Sequence, residues 1–211
     1  MWQAASTSLT PSALVATKQV SLERDCLANL LIPNQQIRRE EQDSDMAFNT
    51  NNTLTAFRFT LVYAEKVVAD LDDDQLAVLP HDGMNHPAWI LGHVALGSDF
   101  VASLLGKDLL TDDGWMKTFG PGSVPVEDRS VYPTKTELVD TMRKAHARAI
   151  ELLEVATAEE FAAPNQTPFF PEQFPTVGDL ATHLVTTHAA LHLGQLSAWR
   201  RCVGKKAVLG I

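Results

Sequence analysis

Apolar residues between Thr53 and Val203 recur at three- and four-residue steps in four long segments, and nowhere does a strand-like alternation run long enough to build a sheet. The first segment, about Thr53–Leu71, puts Phe57, Leu61, Ala64, Val68 and Leu71 on one stripe. It ends at Asp72-Asp73-Asp74, which reads as a solvated connection. The second starts at Pro87, a favourable first-turn residue, and runs to Leu105 with Gly106 as its stop; Trp89, His93, Leu96, Phe100 and Leu104 share a face. The third opens on the capping-box pattern Thr134-Lys135-Thr136-Glu137 and continues to about Val155, with Leu138, Met142, Ala145, Ala149 and Leu152 inward. The fourth and longest opens behind Thr176, a cap for the first free amides, and runs to Val203 with Gly204 as its stop. Its inward face reads Leu184, His188, Leu191, His192, Gln195 and Trp199. The pattern predicts an all-α protein of four helices.

Two long connections, 106–133 and 156–175, are rich in Pro and Gly but carry Trp115, Phe119, Tyr132, Phe169, Phe170 and Phe174. Long loops seeded with aromatics are packed caps or site walls. Residues 1–45 break the pattern: they hold one of the 15 aromatic residues, Trp2, and end in the polar run Gln35–Asp45. They are expected to form a flexible extension, with a short amphipathic helix around Val20–Leu31, ahead of a folded domain over 46–211. Met46 stands at the start of that domain, so a second reading has translation begin there and makes the first 45 residues a gene-model artefact.

Composition narrows the partners. With 45% hydrophobic and 20% charged residues the chain buries a core, while a net charge of -9 and 17 scattered Lys and Arg leave no basic stripe for nucleic acid. No apolar run approaches a membrane span, so no membrane role is expected. Cys26 and Cys202 stand alone, which suits a reducing, cytoplasmic setting; Cys202 reads as a small core residue. No GxxxxGK[ST], GxSxG or HExxH motif occurs, and no carboxylate follows the helix-four histidines at di-iron spacing.

The chemistry lies in the histidines. His188 and His192, four residues apart, share a helix face at about 6 Å along the axis, a spacing that chelates one ion. His93 adds a third inward imidazole from another helix, making the three-nitrogen set of open catalytic zinc sites; imidazole equally suits Ni, Fe and Cu. The competing reading makes all three hydrogen-bonded core residues, which then need three separate buried partners. Gln195, one turn past His192, is placed to orient a ligand imidazole or a water, or to make a core-edge hydrogen bond. His86 either lines a pocket mouth or simply begins a helix; His183, about 140° round from His188, falls at the flank or surface; His146 and His81 read as surface or loop residues.

The stretches Pro87-Ala-Trp-Ile-Leu-Gly-His93 and Thr187-His188-Ala-Ala-Leu-His192-Leu-Gly-Gln195-Leu-Ser-Ala-Trp199-Arg200-Arg201 together resemble the DinB-like (YfiT-like) superfamily of metal-binding four-helix bundles, over about Met46 to Gly210. The resemblance implies an up-down-down-up bundle, often a homodimer, with a divalent metal, Zn or Ni, on His93, His188 and His192. It implies a small-molecule substrate and, from relatives that are thiol-dependent S-transferases or a mycothiol-dependent isomerase, a low-molecular-weight thiol. A metal-dependent transferase or hydrolase is the leading expectation. A non-catalytic, stress-related or structural bundle is the rival.

Overall fold

The structure is a computed structural model that describes residues 50–209, all within the compact unit Met46–Ile211. Expectations for residues 1–45 lie outside the described residues. Four long helical runs carry the fold: α1 (Thr50–Val68), α2 (Pro87–Leu104), α4 (Lys135–Val155) and a composite fourth run. The fourth run comprises α6 (Val177–His183), a π-helical turn (Leu184–His188) and α7 (Ala189–Cys202) in unbroken helical backbone. Among the described residues there is no strand, only an isolated bridge between Pro164 and Thr176. Short helices α3 (Asp113–Phe119) and α5 (Ala158–Ala162) sit in the two long connections.

Cross-helix contacts give the direction of every helix. Arg58 pairs with Glu154, Arg143 with Glu65, and the Lys135 ammonium caps the Ala69 and Leu71 carbonyls, so α1 and α4 run antiparallel. Asn85 reaches Gln195 and His93 reaches His188, so α2 opposes the fourth run. Ser98 meets His146 and Asp99 lies near Arg148, which makes α2 and α4 parallel neighbours. The order is up-down-down-up, with α1 and α2 across the diagonal. Two apolar clusters fill the bundle, one around Leu91, Leu138, Leu196 and Trp199, the other around Leu54, Phe57, Val101 and Leu180. At the level where the helices pass from one cluster to the other lie buried Thr60, Ser98 and His146.

Several elements differ from expectation. α1 stops at Val68, and the acidic run that follows is exposed, as expected of a solvated connection, but it is also structured: the Asp72 amide donates to Gln75 Oε1 at the start of a 3₁₀ turn, Asp73–Ala77. Asp73 then accepts hydrogen bonds from Arg129 and the Lys135 amide, pinning α1's exit to α4's start. These contacts hold its carboxyl below the usual range, the Lys135 amide most of all. On α4, Leu153 rather than Leu152 is buried, and His146 is 1% exposed rather than at the surface. Its ring stacks on Phe57 at 4.2 Å, and Nδ1–H donates to the Met142 carbonyl. His81 is exposed in a turn, as expected. Cys202 is exposed, because the fourth run's core face ends with Leu196 and Trp199 and turns the cysteine outward.

Candidate metal centre

His93, His188 and His192 come together. Their ring centroids lie 4.9 Å (His93–His188), 4.5 Å (His93–His192) and 4.7 Å (His188–His192) apart. One nitrogen from each lies within 4.8 Å of the others. α2 supplies His93, and the fourth run supplies His188 and His192.

His93 is set by a carbonyl. Its Nδ1 lies 2.5 Å from the Phe119 carbonyl oxygen, which only accepts, so Nδ1 carries the proton and Nε2 presents a lone pair. Phe119, at the end of α3, is let in by Gly92: a Cβ there would meet its ring at 2.3 Å. Trp89 stacks on the His93 ring at 4.5 Å. His192 is set by an amide. Its Nδ1 lies 3.2 Å from Gln195 Oε1, which also accepts from Asn85 Nδ2 at 3.0 Å, so His192 too turns Nε2 free.

His188 rests against Gly97, where a Cβ would stand 2.7 Å from its Cε1 and 3.0 Å from its Nδ1. Its Nε2 lies 3.0 Å from His93 Nε2, and its buried Nδ1 has no hydrogen-bond partner. In a metal-free bundle either two lone pairs face each other or a hydrogen bond forms and leaves a buried nitrogen bare. Burial pushes His188 down to about 3, helped by the neighbouring imidazoles, and His192 down to about 4; burial also lowers His93. The rings are therefore neutral at physiological pH, the state in which imidazole binds metal. Two outer nitrogens engaged, lone pairs converging and no proton to expel are what a three-imidazole divalent site needs. The residues present fit such an ion.

The histidine face borders a cavity rather than the packed core. Leu191 is 64% exposed and Gln195 is exposed, contrary to their expected burial, because the core face lies one step round, on Ala189, Leu193, Leu196 and Trp199. The cavity measures about 460 Å³, with Trp89, Leu96, Phe100, Phe169, Phe170 and Leu184 among its walls and no Asp, Glu, Lys or Arg lining it. His86 is not among its walls. It is fully buried as the N-cap of α2, accepting from the Trp89 amide at Nδ1 while Nε2–H donates to the Val126 carbonyl. His183 does line the cavity, 5.9 Å from His188 between ring centroids. The π turn explains this: hydrogen bonds spanning five residues bring positions five apart onto one side, where an α-helix would set them about 140° apart. His183 donates to or accepts from Thr187 Oγ1 at 2.6 Å and stacks on Phe174 at 4.4 Å.

A three-histidine cluster on an up-down-down-up helical bundle defines a class, and comparison with known proteins agrees with it. The DinB superfamily matches residues 56–196, and the chain belongs to that superfamily. Two solved structures share the fold. One, a conserved protein from Enterococcus faecalis, has 19% identity and a TM-score of 0.61, covering 74% of this chain and 98% of its own. The other, YfiT from Bacillus subtilis, is described as a probable metal-dependent hydrolase with an unusual four-helix bundle topology. It has 16% identity and a TM-score of 0.55, covering 78% of this chain and 93% of its own. No curated protein matches the sequence. Among the described residues no helix is long and apolar enough to cross a membrane.

Proposed function

We propose that this chain is a metal-dependent enzyme in which His93, His188 and His192 hold a divalent ion, Zn or Ni, and that it transfers a low-molecular-weight thiol to a small molecule seated in the adjoining cavity. The supporting observation is the convergence of three neutral imidazoles on the wall of a cavity of about 460 Å³. When bound, a divalent ion supplies a Lewis acid that lowers the pKa of a thiol or a water near it. The chain's own groups do the rest. Phe119 and Gln195 hold His93 and His192 in the Nδ1–H tautomer, and Trp89, stacked on His93, screens that side from water. Thiol transfer is preferred on the resemblance to thiol-dependent relatives. The thiol gives up its proton, its sulfur bonds to an electrophilic carbon of the small molecule, and the bond to that carbon's leaving group breaks. The displaced group departs as an anion or takes the proton, which asks for no carboxylate on a cavity wall that has none. The second reading is hydrolysis, favoured by what is printed of YfiT. A cytoplasmic location and a homodimer belong to the same proposal.

Cobalt substitution tests it. Adding a small thiol to the Co(II)-loaded protein is expected to shift the visible d–d bands and raise a sulfur-to-metal charge-transfer band. A spectrum indifferent to thiols and to azide means a coordinatively closed site, and the non-catalytic bundle then stands.

A further inference from the structure

We infer that the molecule taken into the cavity is uncharged and largely apolar, and that the loop spanning 163–176, tied by Asn165, enforces this selection. The inference deepens the proposed function and rests on its reading of the cavity as the substrate site. A cavity of about 460 Å³ has room for far more than an ion and a water. Beyond the imidazoles its side chains are aliphatic, aromatic or the Met116 thioether, the Trp89 indole N–H being donated to Ser123 Oγ, with no side chain of either charge to pair with an ionised ligand. A charged group entering such a space loses its water without gaining a partner.

The aromatic wall is built, not incidental. Asn165, 8% exposed, uses its whole side chain on the loop. Its Nδ2 donates to the Phe169 and Phe174 carbonyls at 3.1 and 2.9 Å, and its Oδ1 accepts from the Thr167 amide and hydroxyl. Its amide donates to the Pro175 carbonyl, closing the loop's base beside the Pro164–Thr176 bridge. The loop holds Phe170 at φ +49°, left-handed backbone that a bulky residue rarely adopts. Phe170 is 58% exposed while Phe169 packs edge-on to Phe100 at 5.4 Å. Backbone strain spent on presenting an aromatic ring to a cavity mouth is a feature of a binding wall.

The test compares two probes of one shape, 4-phenylbutanamide and 4-phenylbutanoate, by isothermal titration calorimetry on the full chain stripped of metal, so that no ion rewards the carboxylate. The amide is expected to bind at least tenfold tighter. Phe170→Ser and Asn165→Ala should each weaken it several-fold with the helical circular dichroism unchanged. Leu191→Lys, at an exposed wall position, should narrow the amide's advantage. A carboxylate that binds the metal-free protein as tightly as the amide overturns the inference, and so does failure of both probes at millimolar concentration. A zinc titration of the same sample reads the proposed function separately: loss of zinc binding with the amide preference intact defeats the metal proposal and leaves this inference standing.

Discussion

Gly97→Ala separates the metal site from the fold that carries it. The added Cβ would stand 2.7 Å from His188 Cε1, and ordinary contact begins at 3.4 Å, so the ring must retreat by about 0.7 Å. It has little room to do so, with the His93, His192 and His183 rings 4.9, 4.7 and 5.9 Å from it. Ligand distances in a metal site tolerate about 0.2 Å, so the displacement degrades one of three ligands. A 10–100-fold loss of zinc affinity is expected, the scale of a misplaced ligand, or about 1.4–2.7 kcal/mol. Within a helix the same change favours the fold by up to about 1 kcal/mol, because alanine loses less backbone freedom than glycine. The two effects on the metal-free fold oppose each other, so zinc affinity should fall tenfold or more while the metal-free melting temperature changes by no more than a few degrees. Competition against a chromophoric chelator and thermal denaturation in EDTA give the two numbers. Wild-type zinc affinity in Gly97→Ala would refute the reasoning, since it would mean that His188 is no ligand.

Other perturbations read other parts of the structure. Gln195→Leu removes the acceptor that fixes the His192 tautomer and is expected to cost about tenfold in zinc affinity with little change in stability, by the same two assays. Burial holds His146 at about 4 against an ordinary 6.5, so its neutral form favours folding at full strength above pH 6.5, and that stability drains as pH falls toward 4. Urea titrations of metal-free wild type and His146→Leu should diverge over that window by about 3 kcal/mol, at 1.36 kcal/mol per unit, and parallel curves would contradict it. Arg200→Met leaves the Val67 and Lys206 carbonyls without their buried donor and frees the C-terminal tail; a loss of about 3 kcal/mol is expected from denaturant unfolding. Light scattering at twice the chain mass is the expected result for the proposed homodimer.

The starts of the long helices were legible from their caps, whereas the capped starts of the short helices α3, at Asp112, and α5, at Thr157 with Glu160, lay in stretches read as connections. Thr134 with Glu137 and Thr176 with Asp179 form the reciprocal caps that their spacing indicates, and Pro87 opens α2. The three histidines were legible because two share a helix turn and the third sits on an apolar face. His146 also carried a signal: the expected inward residues Leu138, Met142, Ala145 and Ala149 are buried around its helical position, and only Leu152, in place of Leu153, was misassigned. What stayed hidden depends on backbone geometry or long-range contacts. The π turn that rotates His183 into the cavity has no sequence signature, and the Phe119 carbonyl that fixes His93 is a main-chain atom 26 residues away. His86 was ambiguous in sequence because a helix cap and a pocket residue occupy the same place in the chain; its two ring nitrogens, both engaged by backbone, decide for the cap. Asn165 has no sequence signature either: its four side-chain hydrogen bonds go to main-chain atoms and a hydroxyl of its own loop.

The direct test is metal stoichiometry by mass spectrometry on untagged protein purified without chelator, wild type beside the double variant His188→Ala, His192→Ala. Close to one equivalent of a divalent metal in the wild type, absent from a double variant of unchanged helicity, is expected. Metal that persists in the variant, or a wild type that takes up neither Zn nor Ni when supplied, would contradict the three-histidine centre and return these imidazoles to the core.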